Sequence, residues 1–149
     1  MLDCMVSWID KRLLPFLLGT GHEPVNGHPD CSLKTKRLVI GQLTICRGCC
    51  CGNTERGLPE VPVEWFKKEW RKRGLLKRVQ LSVSGCVGPC DVPNVVVITT
   101  PRGTEWLGNI ATLDQYRSLL EWATRCRSAG RMLDVPPEFH GYRINPFVG

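Results

Sequence analysis

Nine cysteines stand out in the chain, at positions 4, 31, 46, 49, 50, 51, 86, 90 and 126. Four of them fall within six residues, in Cys46-Arg-Gly-Cys-Cys-Cys51. A second close pair, Cys86-x3-Cys90, follows after 34 intervening residues. An odd count spread this unevenly does not make a disulfide framework. Asp3, Asp10, Lys11 and Arg12 interrupt the apolar residues near the N-terminus, so no secretory signal is read there. The expectation is a reducing, cytoplasmic setting. There, clustered cysteines hold a metal or do redox chemistry more often than they cross-link.

Two short cysteine pairs on separate loops have the ligand count of a four-thiolate site. Thiolate sulfur is soft and selects zinc, copper(I) or iron–sulfur clusters over hard cations. A 2Fe-2S cluster needs four thiolates around two irons. Gly48, Gly52, Gly85 and Gly88 each stand within two residues of a cysteine, which lets the backbone fold closely there. Four cysteines satisfy a zinc ion equally well. Cys46-x2-Cys49 after a strand is also the arrangement of a dithiol redox pair, a chemistry with no use for Cys86 and Cys90. Cys49 and Cys50 compete with Cys51 as ligands, or act as small apolar residues. Cys4, Cys31 and Cys126 read as structural. His22, His28 and His140 are spread over loops without ligand spacing.

The elements that must position these thiols are legible around them. Leu38–Ile45 has strand composition and runs into the cysteine cluster. Cys46–Glu60 holds three glycines and a proline and reads as a loop. Pro62 opens a helix to about Arg73, ended by Gly74. Val79, Leu81 and Val83 alternate with polar residues as in a half-buried strand, which ends at the Cys86–Cys90 turn. Asn94–Thr100 is an apolar run suited to a central strand, and Thr104–Leu107 reads as its hairpin partner. Thr112 and Gln115 form a capping box for a helix to about Ser128, with Gly130 beyond it. The expected architecture is therefore α/β, with a four-stranded mixed sheet and two main helices over residues 37–130. An N-terminal extension over 1–36 carries a short amphipathic helix at Val6–Leu18 and a linker. An extended tail over 131–149 completes the chain, a strap over the core or a segment that docks on a partner.

Composition narrows the function classes. Apolar residues at 42% exclude wholesale disorder, and no apolar run reaches a membrane span. Twenty Lys and Arg against 14 Asp and Glu leave a net charge of +6, which permits an acidic partner without implying nucleic acid. The stretch Lys67, Lys68, Arg71, Lys72, Arg73, Lys77 and Arg78 reads as a solvated face or as a docking patch for an acidic redox partner. Nucleic acid ranks third, for want of a recognition motif. No general acid/base constellation, catalytic triad or phosphate-binding loop is present.

Cys46-x4-Cys51 followed by Cys86-x3-Cys90 resembles the thioredoxin-like 2Fe-2S ferredoxins, a group that includes the small iron–sulfur subunit of respiratory NADH dehydrogenase. Ser84-Gly-Cys-Val-Gly-Pro-Cys90, with Val95–Ile98 close behind, is similar to that family's cysteine turn and following strand. Cys46-Arg-Gly-Cys-Cys-Cys-Gly52 with Asn94-Val-Val-Val97 also resembles small bacterial 2Fe-2S ferredoxin-domain proteins, some linked to cobalt insertion in cobalamin synthesis. The resemblance implies a thioredoxin-like core and a 2Fe-2S cluster on Cys46, Cys51, Cys86 and Cys90. It implies one-electron transfer to a redox protein, and it allows a homodimer. Two further readings stay open: a zinc- or cobalt-handling module without redox turnover, and a thiol–disulfide oxidoreductase acting through Cys46 and Cys49.

Overall fold

The apolar run after Asn94 becomes the middle strand of a single five-stranded sheet. This computed structural model describes residues 36–148. The expected helix at Val6–Leu18, Cys4, Cys31, His22 and His28 therefore lie outside the described residues. In chain order the elements are β1 (Gly41–Cys46), α1 (Val63–Lys72), β2 (Val79–Ser84), β3 (Val96–Thr100), β4 (Gly103–Leu107), α2 (Leu113–Ala129) and β5 (Arg143–Ile144). Short 3-10 turns occupy Thr54–Arg56, Leu75–Lys77 and Pro137–Tyr142.

The sheet order is β2-β1-β3-β4-β5. β1 and β2 run parallel, joined by α1, and every other pairing is antiparallel. A parallel pair needs such a crossover, which accounts for the helix between them. Val95, Val96 and Ile98 are wholly buried, as the centre of a sheet requires. On β1, Leu43 and Ile45 point into the core, while Gln42 on the other face donates to Ser82 at 2.8 Å. α1 and α2 meet through Phe66 and Tyr116, whose rings lie 5.8 Å apart edge to face. Thr112 and Gln115 close the expected capping box, and Gly130 takes the left-handed C′ position at φ +69°.

The sheet has five strands where the sequence predicts four. The extra one comes from the tail: Ile144 pairs with Trp106 and Arg143 with Leu107. The Gly108 amide donates to the Tyr142 carbonyl at 2.8 Å, continuing the pairing. Without it, β4 would expose a row of unpaired backbone groups along a sheet edge. A two-residue strand has no periodicity to read, so the tail gives no strand signal in the sequence. Val135 and Phe139 tie the tail into the core, as expected of a strap. β1 also starts later than Leu38: Leu38 is 71% exposed and precedes the sheet. Among the described residues no helix is long and apolar enough to cross a membrane.

Candidate metal centre

Because β1 and β2 run parallel, both cysteine loops leave the sheet at the same end. Cys46 pairs with Ser84 in the last register position, and the Arg47 amide donates to the Ser84 carbonyl at 2.9 Å. The loops then touch backbone to backbone. A Cβ on Gly48 would stand 2.9 Å from the Cys86 amide nitrogen, so only glycine lets the two loops approach this closely.

The first loop is held from beneath by Asn94, the one polar residue buried in the core among the described residues. Its Oδ1 accepts from the Gly52 amide at 2.7 Å. Its Nδ2 donates to the carbonyls of Pro59 at 3.1 Å and Ile110 at 3.0 Å. One side chain thus ties the cysteine loop to the approach of α1 and to the approach of α2. In the sequence Asn94 is only the residue before an apolar run, and nothing in spacing or pattern marks it as a clamp.

The thiols divide into an inner pair and an outer group. Cys46 and Cys51 are buried, at 3% and 2% exposure, and are near enough for each to influence the other electrostatically. Cys46 Sγ also donates to the Gly85 carbonyl at 3.3 Å. The outer group faces solvent. Cys49 Sγ lies 3.7 Å from Cys90 Sγ, and Cys86 Sγ lies 3.2 Å from Cys90 Sγ. Cys49, Cys50 and Cys90 have all their sulfurs within 4.8 Å of one another and could bind a metal ion. Sulfurs about 2.3 Å from a tetrahedral metal stand about 3.8 Å apart, so the Cys49–Cys90 separation has the span of a ligand edge.

Electrostatics separates the two sets further. Burial, helped by the neighbouring Cys46 thiol, pushes the Cys51 thiol up to about 12, so it stays protonated at neutral pH. The Cys90 thiol is raised for a different reason: it shares hydrogen bonds with Cys86 first and Cys49 second, at a surface position. Crowded thiols resist becoming thiolates together, and a bound cation reverses that preference. Arg56 extends Nη1 to within 3.5 Å of Cys50 Sγ, placing a fixed positive charge on the same group. Asn53 Nδ2 donates to the Cys49 carbonyl at 3.0 Å and steadies the loop at Cys49.

The structure thus brings Cys86 and Cys90 together, and brings Cys46 and Cys51 together, as the spacing predicts. It places Cys49 and Cys50, not the inner pair, with Cys90. Cys126 is buried on α2 and accepts from the Leu133 amide at 3.3 Å, as a structural thiol does. His140 is exposed on the tail. A groove of about 610 Å³ lies beside the Cys86–Cys90 turn, between Val87, Pro89 and Val92 on one side and Trp106, Pro146 and Phe147 on the other. The basic stretch from Lys67 to Arg78 leads away from the thiols, since α1 runs back along the sheet and Arg78 directly precedes the start of β2. Three of its cations are already engaged: Lys67 with Glu64, Lys72 with Glu69 and Arg73 with Glu121. No family model matches the chain, and no curated protein matches it.

Proposed function

We propose that this chain is a 2Fe-2S protein that passes single electrons to or from a protein partner, on a thioredoxin-like core. The observation that carries the reading is the meeting of Cys49 and Cys90. These residues come from loops 41 positions apart, yet their sulfurs lie 3.7 Å from each other. Cys49, Cys50, Cys86 and Cys90 supply the four thiolates that such a cluster needs. They are assigned in preference to Cys46 and Cys51, which are buried in the core, with Cys46 Sγ donating to the Gly85 carbonyl. All seven described cysteines are free thiols, in keeping with a reducing compartment.

The cluster would supply reversible one-electron chemistry. The chain's own residues hold four sulfurs at fixed spacing, and Arg56 offsets negative charge at Cys50. Gly48 and Asn94 fix the distance between the two loops. The thioredoxin-like description rests on the β1-α1-β2 unit, the β3–β4 hairpin and the closing α2, with β5 as an addition.

A second reading is favoured by the exposure of Cys49 and Cys86. A single zinc-type ion held at an open thiol group would suit a metal-handling module without redox turnover. The dithiol reading has less support, since Cys46 lies in the core against Gly85 while Cys49 faces Cys90. The deciding experiment is purification without oxygen, followed by an absorption spectrum with iron, sulfide and zinc analysis on one sample. The expected result is a brown protein with equal iron and sulfide and little zinc. A colourless protein with stoichiometric zinc would reject electron transfer and establish the second reading.

A further inference from the structure

Arg102 and Arg131 sit at the end of the described sheet opposite the thiols. The starts of β1 and β2, at Gly41 and Val79, lie about 17 Å from their cysteine-bearing ends. The β3–β4 turn brings Arg102 to the same end as Gly41, since Thr99 pairs with Gln42. The chain leaving α2 arrives there too: Met132 packs against Gly41, and the Met132 carbonyl accepts from Arg102 Nη2 at 3.3 Å. Between these segments lies a cleft of about 320 Å³. Its floor is apolar, formed by Val39, Ile40, Pro101 and Met132, and its rim carries Arg102 and Arg131. Arg131 is exposed and makes no ion pair or hydrogen bond among the described residues. Leu38, the residue before Val39, is 71% exposed.

We infer that this cleft receives an acidic segment of a partner protein, with an apolar side chain on the floor and carboxylates on Arg102 and Arg131. Charge complementarity sets the sign of the ligand. The floor sets its class: a phosphate backbone offers nothing to Val39, Ile40 and Met132, whereas an extended peptide presents both kinds of group. Guanidinium forks match carboxylates in shape as well as charge. The chain already seats one carboxylate there, since Asp134 lies 3.1 Å from Arg102 with its side chain 91% exposed and so displaceable. A partner bound at this end anchors the chain and leaves the thiol end facing outward. The inference does not depend on what the thiols hold.

The test is fluorescence anisotropy at low salt, using the full chain and a short labelled peptide of Glu and Asp around one Leu. Saturable binding is expected, weakened roughly tenfold by Arg131→Glu and further by Arg102→Glu with Arg131→Glu. Arg117→Glu, near the start of α2 at the other end, should leave it unchanged. Circular dichroism checks that each variant folds, and Arg131→Glu removes no ion pair or hydrogen bond among the described residues. Absence of binding would overturn the inference. So would an equal loss in Arg117→Glu, undiminished binding of a peptide with Ser in place of Leu, or tighter binding of a DNA duplex of equal charge.

Discussion

The thiol end of the sheet is held together by buried and backbone contacts, whereas the cleft at the basic end presents exposed charged side chains. At the first, Asn94 bridges three segments from within the core, and Gly48 lets two loops meet backbone to backbone. At the second, Arg102 reaches exposed Asp134, and Arg131 makes no ion pair or hydrogen bond among the described residues. A site that must hold several sulfurs within a few tenths of an ångström needs the first kind of construction. A surface that recognises charge can use the second, because screened, mobile ion pairs adapt to what arrives.

The largest effects should come from the thiols themselves. Cys90→Ser removes the residue that the other outer cysteines converge on, and should abolish metal binding, with well over ~90% of bound metal lost after reconstitution. Cys49→Ser should follow it. Cys51→Ser changes a buried neutral thiol and should lower stability by about 1 kcal/mol while retaining metal. Metal analysis beside thermal melts reads both quantities. If Cys51→Ser lost metal as completely as Cys90→Ser, the ligand set would be the one that the sequence spacing indicates, and the division into inner and outer thiols would fail.

Next comes the scaffold beneath them. Asn94→Ala leaves the Gly52 amide and the Pro59 carbonyl without their side-chain partner. Each unsatisfied group costs about 1–3 kcal/mol, so a loss of roughly 3 kcal/mol and a fall in Tm of about 10 °C are expected. Gly48→Ala should cost less, about 1–2 kcal/mol, but act more locally by forcing the loop off the Cys86 backbone. Its signature is weaker metal retention with a fall in Tm of only about 3–6 °C, measured by competition with a chelator beside thermal melts. The reverse pattern, a large fall in Tm with full retention, would show that the approach at Gly48 serves the fold and not the site.

These residues also show how far the sequence could be read. Strand, helix and hairpin elements between Gly41 and Ala129 follow from apolar periodicity, the Thr112–Gln115 box and the left-handed glycines, all local signals. That Cys86 and Cys90 form a pair follows from spacing on a tight turn. Which cysteines of the first loop join them does not. Cys49, Cys50 and Cys51 are consecutive, and their directions depend on how Gly52 turns onto Asn94, a contact 42 positions away. The fifth strand was hidden for the same reason, since β5 exists only through its pairing with β4.

The smallest effect belongs to the basic end and tests whether its ion pairs matter at all. Arg73 at the end of α1 meets Glu121 in the middle of α2 at 2.7 Å, and the hydrogen bond from Arg73 holds the Glu121 carboxyl below the usual range. A carboxyl depressed in the folded state adds stability above its unfolded value near about 4.3, and loses it as pH falls through the folded one. Glu121 is mostly exposed, so solvent screening limits the pair to under ~1 kcal/mol. Glu121→Gln should therefore lower stability slightly at pH 7 and converge with the parent chain below about pH 4, as denaturant titration across that range would show. Added salt should shrink the difference at pH 7 in the same way. A gap that persisted in acid and in high salt would mean that Glu121 packs rather than pairs, and the basic end would then be built more like the thiol end than its exposed charges suggest.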